Sequence, residues 1–260
     1  MKKIIFRAIF ISILILGFIL RSNNLYTWPR LGATFDEYAW TWLGMNIIQN
    51  HVPTSWSPHP EYTHAKNIIY QGAHFRLVTP YLEHPPLFGL IAGGYAMLSG
   101  AKDMFHVNLH NIRGLAVILG LLSICMVFLL GRELYGEKIG LLSAFLYAII
   151  PSIVVGSRLV ENENFFIPFF LLSLFFTSRF IKTKKKIFYC LSAIICGLLT
   201  LAKVPWATAA IASFLILLTL RMYKQAFLFV GIALAFFFLF FVWGIYWNPH
   251  LFFSLWGLQL

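Results

Sequence analysis

The sequence predicts an all-α polytopic membrane protein, and three observations support this class. Of the 260 residues, 60% are hydrophobic and only 11% are charged, and the mean hydropathy is +0.78. Apolar runs of roughly 16 to 22 residues recur along most of the chain, and each could cross a membrane as a helix. Backbone groups in lipid must be satisfied internally, which favours helices. A soluble globular protein is excluded, because such proteins are about a quarter charged.

Seven membrane-spanning helices are predicted. The first follows Lys2, Lys3 and Arg7 and has no small-residue cleavage motif at its end, so we expect an uncleaved signal anchor. The predicted spans are 4–20, 114–130, 139–157, 164–178, 187–202, 204–220 and 226–247. A shorter, glycine-rich apolar segment at 87–101 is predicted to be a re-entrant or interfacial helix.

The distribution of charge predicts the orientation in the cell membrane. With seven crossings, twelve of the 20 Lys and Arg residues lie in short segments on the side of the N-terminus. The positive-inside rule makes that side cytoplasmic. Seven of the nine acidic residues and all eight histidines then lie on the outer face, chiefly in a first outer loop at 21–112. Because the basic residues are explained by topology, we predict membrane lipid and no nucleic acid as a partner.

The first outer loop begins with an acidic motif that has two readings. Thr34 and Glu37 have the spacing of a capping box, in which the glutamate only completes a helix N-terminus. The alternative is a functional Glu37. Asp36 is not needed by a capping box, although an acid in a first turn is favoured by the helix dipole. The apolar spacing up to about Gln49 predicts an amphipathic helix on the membrane surface.

A second motif, Glu83-His84-Pro85-Pro86, places a carboxylate and an imidazole at a rigid corner next to the membrane. Such a pair could hold a metal or a phosphate, or it could be an interfacial turn that faces water. The other histidines have no mutual metal-ligand spacing and are expected to be solvated loop residues.

Two shorter outer connections carry further polar residues. Arg158, Glu161 and Glu163 lie between the third and fourth predicted spans, and Lys203 lies between the fifth and sixth. Spans two to seven contain no ionisable Asp, Glu, His, Lys or Arg away from their ends. Proton and ion paths need such residues at membrane depth, so the sequence argues against an ion-coupled transporter.

Taken together, these motifs resemble the integral-membrane GT-C glycosyltransferases, in the lineage of the protein O-mannosyltransferases and the lipid A aminoarabinose transferases. The resemblance covers nearly the whole chain. It is carried by Asp36-Glu37, Glu83-His84-Pro85-Pro86, Arg113, the run from Gly131 to Gly136, Pro151 through Ser157-Arg158 to an acidic pair, and Gly197 with Lys203. Such enzymes transfer a sugar from a polyprenyl-phosphate carrier to an acceptor on the extracytoplasmic side.

The resemblance implies roles for individual residues. Asp36, with Glu37, would activate the acceptor hydroxyl, and the donor phosphate would bind His84, Arg158 and Lys203. A divalent metal ion is a further candidate ligand, at Glu83, Glu161 and Glu163. Two departures matter. His84 replaces a lysine of the aminoarabinose transferases and is expected to titrate near neutral pH, and Glu161 and Glu163 stand where the family tends to have Asp.

The sequence leaves two other hypotheses about function open. A lipid or sugar-lipid flippase would use the same lipid-sized surface, and a non-catalytic membrane subunit is a third hypothesis. Members of the family generally have more than seven spans, so we expect the C-terminal part of the catalytic protein to be absent from this chain. The acceptor, whether protein, lipid or cell-surface glycan, is not specified by the motifs.

Overall fold

The computed structural model describes residues 2–259, which form eleven α-helices and one small antiparallel sheet. The helices are α1 (Lys2–Ser22), α2 (Asp36–Asn50), α3 (Leu87–Leu98), α4 (Leu109–Tyr135), α5 (Glu137–Ile149), α6 (Pro151–Gly156), α7 (Asn162–Thr183), α8 (Lys186–Thr200), α9 (Thr208–Thr219), α10 (Tyr223–Trp247) and α11 (Pro249–Gln259). The strands are β1 (Ser55–Trp56), β2 (Lys66–Tyr70) and β3 (Ala73–Val78), in the sheet order β1-β3-β2. Single 3-10 turns lie at Met104–His106 and Val204–Ala207.

Four helices, α1, α4, α7 and α10, are long and apolar enough to cross a membrane. They contain 21, 27, 22 and 25 residues, so at 1.5 Å per residue they are about 32 to 40 Å long. A hydrocarbon layer is about 30 Å thick. The prediction of a helical, multi-pass membrane protein is therefore confirmed.

The other three predicted spans are shorter or divided, so the count of seven crossings stays a prediction. The span at 139–157 is split into α5 and α6 at Pro151, which lacks the N–H of an interior helix residue and starts the second helix instead. The span at 187–202 becomes α8, with 15 residues. The span at 204–220 begins as a 3-10 turn containing Pro205 and continues as the 12-residue α9.

The first outer loop folds into α2, the sheet and α3. The predicted surface helix is wrong in one respect, because residues 37–46 of α2 are all buried. One side of α2 contacts the sheet, where the ring of Trp42 lies 4.8 Å from that of Phe75. The sheet and α3 both cover the helix, which the apolar spacing alone did not show.

Helices α2 and α3 pack closely because glycines lie at their contact. A Cβ atom on Gly44 would collide with the backbone of Gly89, and one on Gly93 would collide with the backbone of Gly44 and Met45. Backbone atoms cannot move aside as a side-chain end can. The close approach fixes α3 against α2 and so fixes the Glu83–Pro86 segment that leads into α3.

We expect Gly44→Ala to destabilise the protein by roughly 1–3 kcal/mol or more, since the added methyl group must push two helix backbones apart. Gly94→Ala is the matched control, because its new Cβ would meet only Ile48 Cδ1, at 3.9 Å. Thermal unfolding in detergent should show a lower midpoint for Gly44→Ala alone. Equal midpoints for the two variants would contradict the close helix contact.

Hydroxyl groups connect α7, α8 and α9 within the bundle. Thr177 Oγ1 and Ser192 Oγ are 2.8 Å apart, and the Ser192 hydroxyl donates to the carbonyl of Ser173 at 2.8 Å. Ser213 of α9 lies 3.4 Å from Thr177 Oγ1. Buried hydroxyl contacts of this kind hold membrane helices together. They hold α7, α8 and α9 against one another within the bundle.

Candidate functional site

Four segments that are distant in the sequence meet at one end of the helical bundle. They are the start of α2, the Glu83–Pro86 segment, the connection at 157–163 and the connection at 201–207. The Leu87 amide donates to the carbonyl of Leu201 at 3.1 Å, and Asn162 Nδ2 donates to the carbonyl of Ala202 at 2.7 Å. The segments that carry the predicted site residues therefore lie in one region.

Glu37 forms an ion pair at the base of this region. Its carboxylate accepts from Arg113 Nε at 3.0 Å and from Arg113 Nη2 at 2.9 Å, and both side chains are fully buried. The remaining nitrogen of the guanidinium, Nη1, donates to the carbonyls of Leu25 and Pro29, at 2.8 and 2.7 Å. Glu37 Oε1 also accepts from the Val160 amide at 3.2 Å. One ion pair thus connects α2, α4 and two outer segments.

The interpretation of Glu37 as part of a capping box is wrong. Thr34 Oγ1 accepts from the amide of Asp36 at 3.1 Å, so the threonine does support the helix start. Glu37 does not reach back to Thr34, because a buried arginine 76 residues later in the chain binds its carboxylate in a bidentate manner. A charged bidentate pair is stronger than a neutral cap.

Asp36 lies in the first turn of α2, half-buried, and makes no side-chain hydrogen bond or ion pair with any described residue. Burial raises the pKa of its carboxyl, the positive charge of Lys203 opposes that rise, and the negative charge of Glu163 adds to it. Asp36 is therefore a carboxylate close to a cation from another loop, with its oxygens available to another molecule.

Lys203 is the cation of this region. Its Nζ donates to Glu163 Oε1 at 2.8 Å, and it lies 5.6 Å from the centre of the Trp206 ring. Trp206 is held in turn by Asn162, whose Oδ1 accepts from the indole N–H at 2.7 Å. The lysine and Glu163 side chains are 21% and 47% exposed, so the pair can be reached from solvent.

Glu161 is half-buried at the edge of the same group. Burial raises the pKa of its carboxyl to about 7, and the charges of Glu163, Asp36 and Glu37 act in the same direction. At neutral pH a large share of Glu161 is protonated. It can then donate a hydrogen bond instead of repelling an anion.

Glu83 lies in a second carboxyl cluster beside the first. Burial raises the pKa of Glu83 to about 7, and the charges of Asp36 and Glu61 add to that rise. His59 lies between the two glutamates, with Nε2 at 3.7 Å from Glu83 and Nδ1 at 3.5 Å from Glu61. The expectation that His59 is a solvated loop residue is wrong. Nothing in its local sequence signals this contact, since Glu83 lies 24 residues away.

His84 stacks on Trp40, with the two ring centres 5.2 Å apart, and its edge faces Tyr81. Burial lowers the pKa of His84 to about 3, and the positive charge of Lys203 acts in the same direction. The expected titration near neutral pH is therefore wrong. His84 is a neutral imidazole in this protein, and it can offer a hydrogen bond but no positive charge.

Arg158 is directed toward the backbone of the first outer segment. Its guanidinium donates to the carbonyl of Leu20 at 2.5 Å and to that of Trp28 at 3.3 Å, and the residue is 8% exposed. Burial lowers its pKa, and the nearby charge of Arg113 adds to the effect. This placement favours a role in fixing the end of α1.

The residues predicted to bind a metal do not come together as a ligand set. Glu83 contacts His59, whereas Glu163 is paired with Lys203. Within residues 2–259, no group of three His, Cys, Asp or Glu side chains is arranged to hold a metal ion. The predicted ligand set Glu83, Glu161 and Glu163 is therefore not assembled, so a divalent ion stays a prediction and no step below uses one.

Arg113, the buried partner of Glu37, was given no role by the sequence. The sequence did contain a sign of its importance, since Arg113 lies at the start of an otherwise uncharged span. Its partner could not be predicted from the sequence, because the 75 residues between Glu37 and Arg113 include all three strands and the whole of α3.

Comparisons with known proteins agree with the helical membrane architecture. The family model described as dolichyl-phosphate-mannose-protein mannosyltransferase matches residues 83–247. No curated protein matches the sequence. Archaeal oligosaccharyltransferase AglB from Archaeoglobus fulgidus, solved with an inhibitory peptide and a dolichol-phosphate, is 19% identical, with a TM-score of 0.65. The match covers 98% of this chain and 32% of that protein.

Two further structures of the Archaeoglobus fulgidus oligosaccharyltransferase are similar. One is tethered with an acceptor peptide containing the NVT sequon, with a TM-score of 0.63 and 17% identity, over 98% of this chain and 33% of that one. The other is a complex with Zn and sulfate, with a TM-score of 0.62 and 18% identity, over 96% and 34%. This chain thus spans about a third of the length of these proteins. At such identities the likeness shows a shared fold.

Proposed function

Because this chain belongs to the dolichyl-phosphate-mannose-protein mannosyltransferase family, we propose that it transfers a sugar from a polyprenyl-phosphate donor to an acceptor hydroxyl on the extracytoplasmic side. The observation that carries this proposal is the placement of Asp36, a half-buried carboxylate without a side-chain partner, near the Lys203–Glu163 ion pair. A base and a cation at one site are what the transfer requires.

Asp36 acts as the general base in this proposal. The acceptor hydroxyl must lose its proton as it attacks the sugar carbon, and a carboxylate within hydrogen-bond reach can accept it. The raised pKa of Asp36 makes its carboxylate a stronger base than that of an exposed aspartate, while the positive charge of Lys203 favours its ionised form. Glu37 positions this base through Arg113 and does not touch the reactants, since its carboxylate is fully buried.

Lys203 binds the departing phosphate. Cleavage of the sugar–phosphate bond leaves negative charge on the phosphate oxygens, and a preorganised cation stabilises that charge. His84 contributes a neutral hydrogen-bond donor beside Lys203. Glu83 and Glu161, both with a pKa of about 7, are partly protonated at neutral pH, which reduces their repulsion of the anion. Arg158 supports the site indirectly, through the end of α1.

The ligands bound in the similar structures support a lipid-linked donor. One oligosaccharyltransferase was solved with a dolichol-phosphate and another with a tethered acceptor peptide. In this chain the donor lipid would lie along the spanning helices, with its phosphate at the outer interface. A mannosyl or related hexosyl donor follows from the family description, and an aminoarabinose donor is the other type suggested by the sequence.

A transfer assay tests the proposed function. Purified full-length protein in liposomes receives a polyprenyl-phosphate sugar labelled in the sugar, together with peptide, lipid and glycan acceptors. We expect label in a covalent acceptor product. Movement of the labelled carrier across the bilayer without such a product would instead select the flippase. A third outcome is that this chain alone yields no product and moves no carrier, and does so only together with a stable partner chain. That outcome would select the non-catalytic subunit.

Charge changes around Asp36 should move the pH dependence of transfer in opposite directions. Lys203→Gln removes the charge that lowers the pKa of Asp36, so the acid limb of the rate profile should shift to higher pH. Glu163→Gln removes a charge that raises the same pKa, so the limb should shift to lower pH. Lys203→Gln should also slow transfer by about 10²- to 10³-fold.

The exposed Lys102, in the same outer loop region, provides the control, and Lys102→Gln should leave the profile unchanged. Rates of single-turnover transfer between pH 4 and pH 9, as a working range, give the comparison. Shifts of the same sign for Lys203→Gln and Glu163→Gln would contradict the assignment of the acid limb to Asp36.

A further inference from the structure

A basic cavity lies at the end of the bundle opposite the candidate site. It has a volume of about 500 Å³ and lies between the end of α7 and the starts of α8 and α10. Three lysines stand around it, Lys184, Lys186 and Lys224. Apolar and aromatic side chains complete its wall, among them Tyr189 and Leu228. The cavity therefore combines positive charge with apolar surface.

The three lysines have no counter-charge among the described residues. None of them forms an ion pair there, whereas the neighbouring Lys182 lies 2.9 Å from Glu133 Oε1. The first turns of α8 and α10 contain no acidic residue, and no side chain caps either helix. Unsatisfied N–H groups and the helix dipole make both helix starts more positive still. No carboxylate among the described residues pairs with these lysines, which favours binding of an anion.

The apolar side of the cavity continues onto the outer surface of α10. Leu228, in the cavity wall, is 56% exposed, and Leu239 on the same helix is 54% exposed. These residues are eleven positions apart, about three turns, so they lie on the same face. A ligand with an anionic head at the lysines could place a hydrocarbon chain along this face. A free inorganic anion would leave the apolar wall uncovered.

We propose that this cavity binds an anionic phospholipid, with its phosphate at the three lysines and an acyl chain along α10. Basic pockets between membrane helices are suited to such headgroups. The positive-inside rule explains lysines at this end of the bundle, but it does not explain a cavity between them without a counter-charge. With the predicted orientation, the lipid belongs to the cytoplasmic leaflet. This site is separate from the proposed transfer reaction.

Native mass spectrometry of the full-length protein tests the site. The probes are phosphatidylglycerol and phosphatidylcholine with identical acyl chains. We expect the wild-type protein to bind phosphatidylglycerol at least about tenfold more tightly. The combined variant Lys184→Gln/Lys186→Gln/Lys224→Gln should lose this preference. All three lysines are exposed, so the variant should fold, which its unfolding midpoint checks.

The matched control is Arg132→Gln/Lys138→Gln/Lys182→Gln, which removes the same charge at the same end of the bundle but outside the cavity. It should keep the preference for phosphatidylglycerol. Equal binding of the two lipids by the wild-type protein would overturn the proposal. So would unchanged preference in the cavity variant, an equal loss in the control, or displacement of the lipid by inorganic phosphate, which would indicate a free-anion site.

Discussion

Asp36→Asn should reduce sugar transfer by about 10²- to 10⁴-fold, the usual contribution of a positioned general base. Asparagine has nearly the same size as aspartate but cannot accept the proton of the acceptor hydroxyl. Because the Asp36 side chain makes no contact that holds the fold among the described residues, the variant should unfold at the same temperature as the wild-type protein. Single-turnover transfer of a labelled sugar gives the rate.

The control for this variant is Asp103→Asn. Asp103 belongs to the same outer region, half-exposed, and pairs with His106 at 2.9 Å. The Asp103 side chain also accepts a hydrogen bond from the Phe105 amide, and the Oδ1 atom of an asparagine can accept the same bond. Its transfer rate should be that of the wild-type protein. Undiminished transfer by Asp36→Asn would refute the assignment of Asp36 as the base.

Removal of either partner of the Glu37–Arg113 pair should destabilise the protein by about 3–5 kcal/mol. Glu37→Gln leaves a buried guanidinium without its counter-charge, and Arg113→Met leaves a buried carboxylate and two unpaired carbonyls. The unfolding midpoint in detergent should fall by roughly 10 °C. Transfer should fall as well, since the pair fixes the start of α2 and hence Asp36.

Glu137→Gln serves as the comparison, because Glu137 is exposed at the start of α5 and forms no ion pair with a described residue. Its midpoint should not change. The double variant Glu37→Gln/Arg113→Met should be less destabilised than the sum of the single variants, since neither buried charge is then left alone. Additive losses would argue that the two side chains act independently.

The long helices could be predicted from the sequence, because an apolar run must reach a certain length to cross the hydrocarbon layer as a helix. The breaks and short helices could be predicted less well. Pro151 lies within an apolar run that has the length of one span, but its ring divides the run into α5 and α6. The amphipathic spacing of α2 predicted a helix correctly and its surroundings wrongly, because periodicity does not show which elements cover the second face.

The candidate site shows the same division between local and distant information. The convergence of Asp36, Glu163 and Lys203 followed from topology, since all were expected on one face of the membrane. The partner of each side chain could not be predicted in the same way. Glu37 fits a local capping motif, yet a distant arginine binds it, and His84 loses its charge to burial against Trp40. Burial and long-range pairing depend on the completed fold.

If Asp36 and Lys203 belong to one site, both must lie on the same face of the membrane, and cysteine labelling can determine this. In a background with Cys125, Cys190 and Cys196 replaced by serine, single Asp36→Cys, Lys203→Cys and Lys184→Cys variants are treated with a membrane-impermeant maleimide in sealed, oriented vesicles. We expect the first two to react from the extracytoplasmic side and the third only from the opposite side. Reaction of Asp36→Cys and Lys203→Cys from opposite sides would contradict the placement of the two residues in one site.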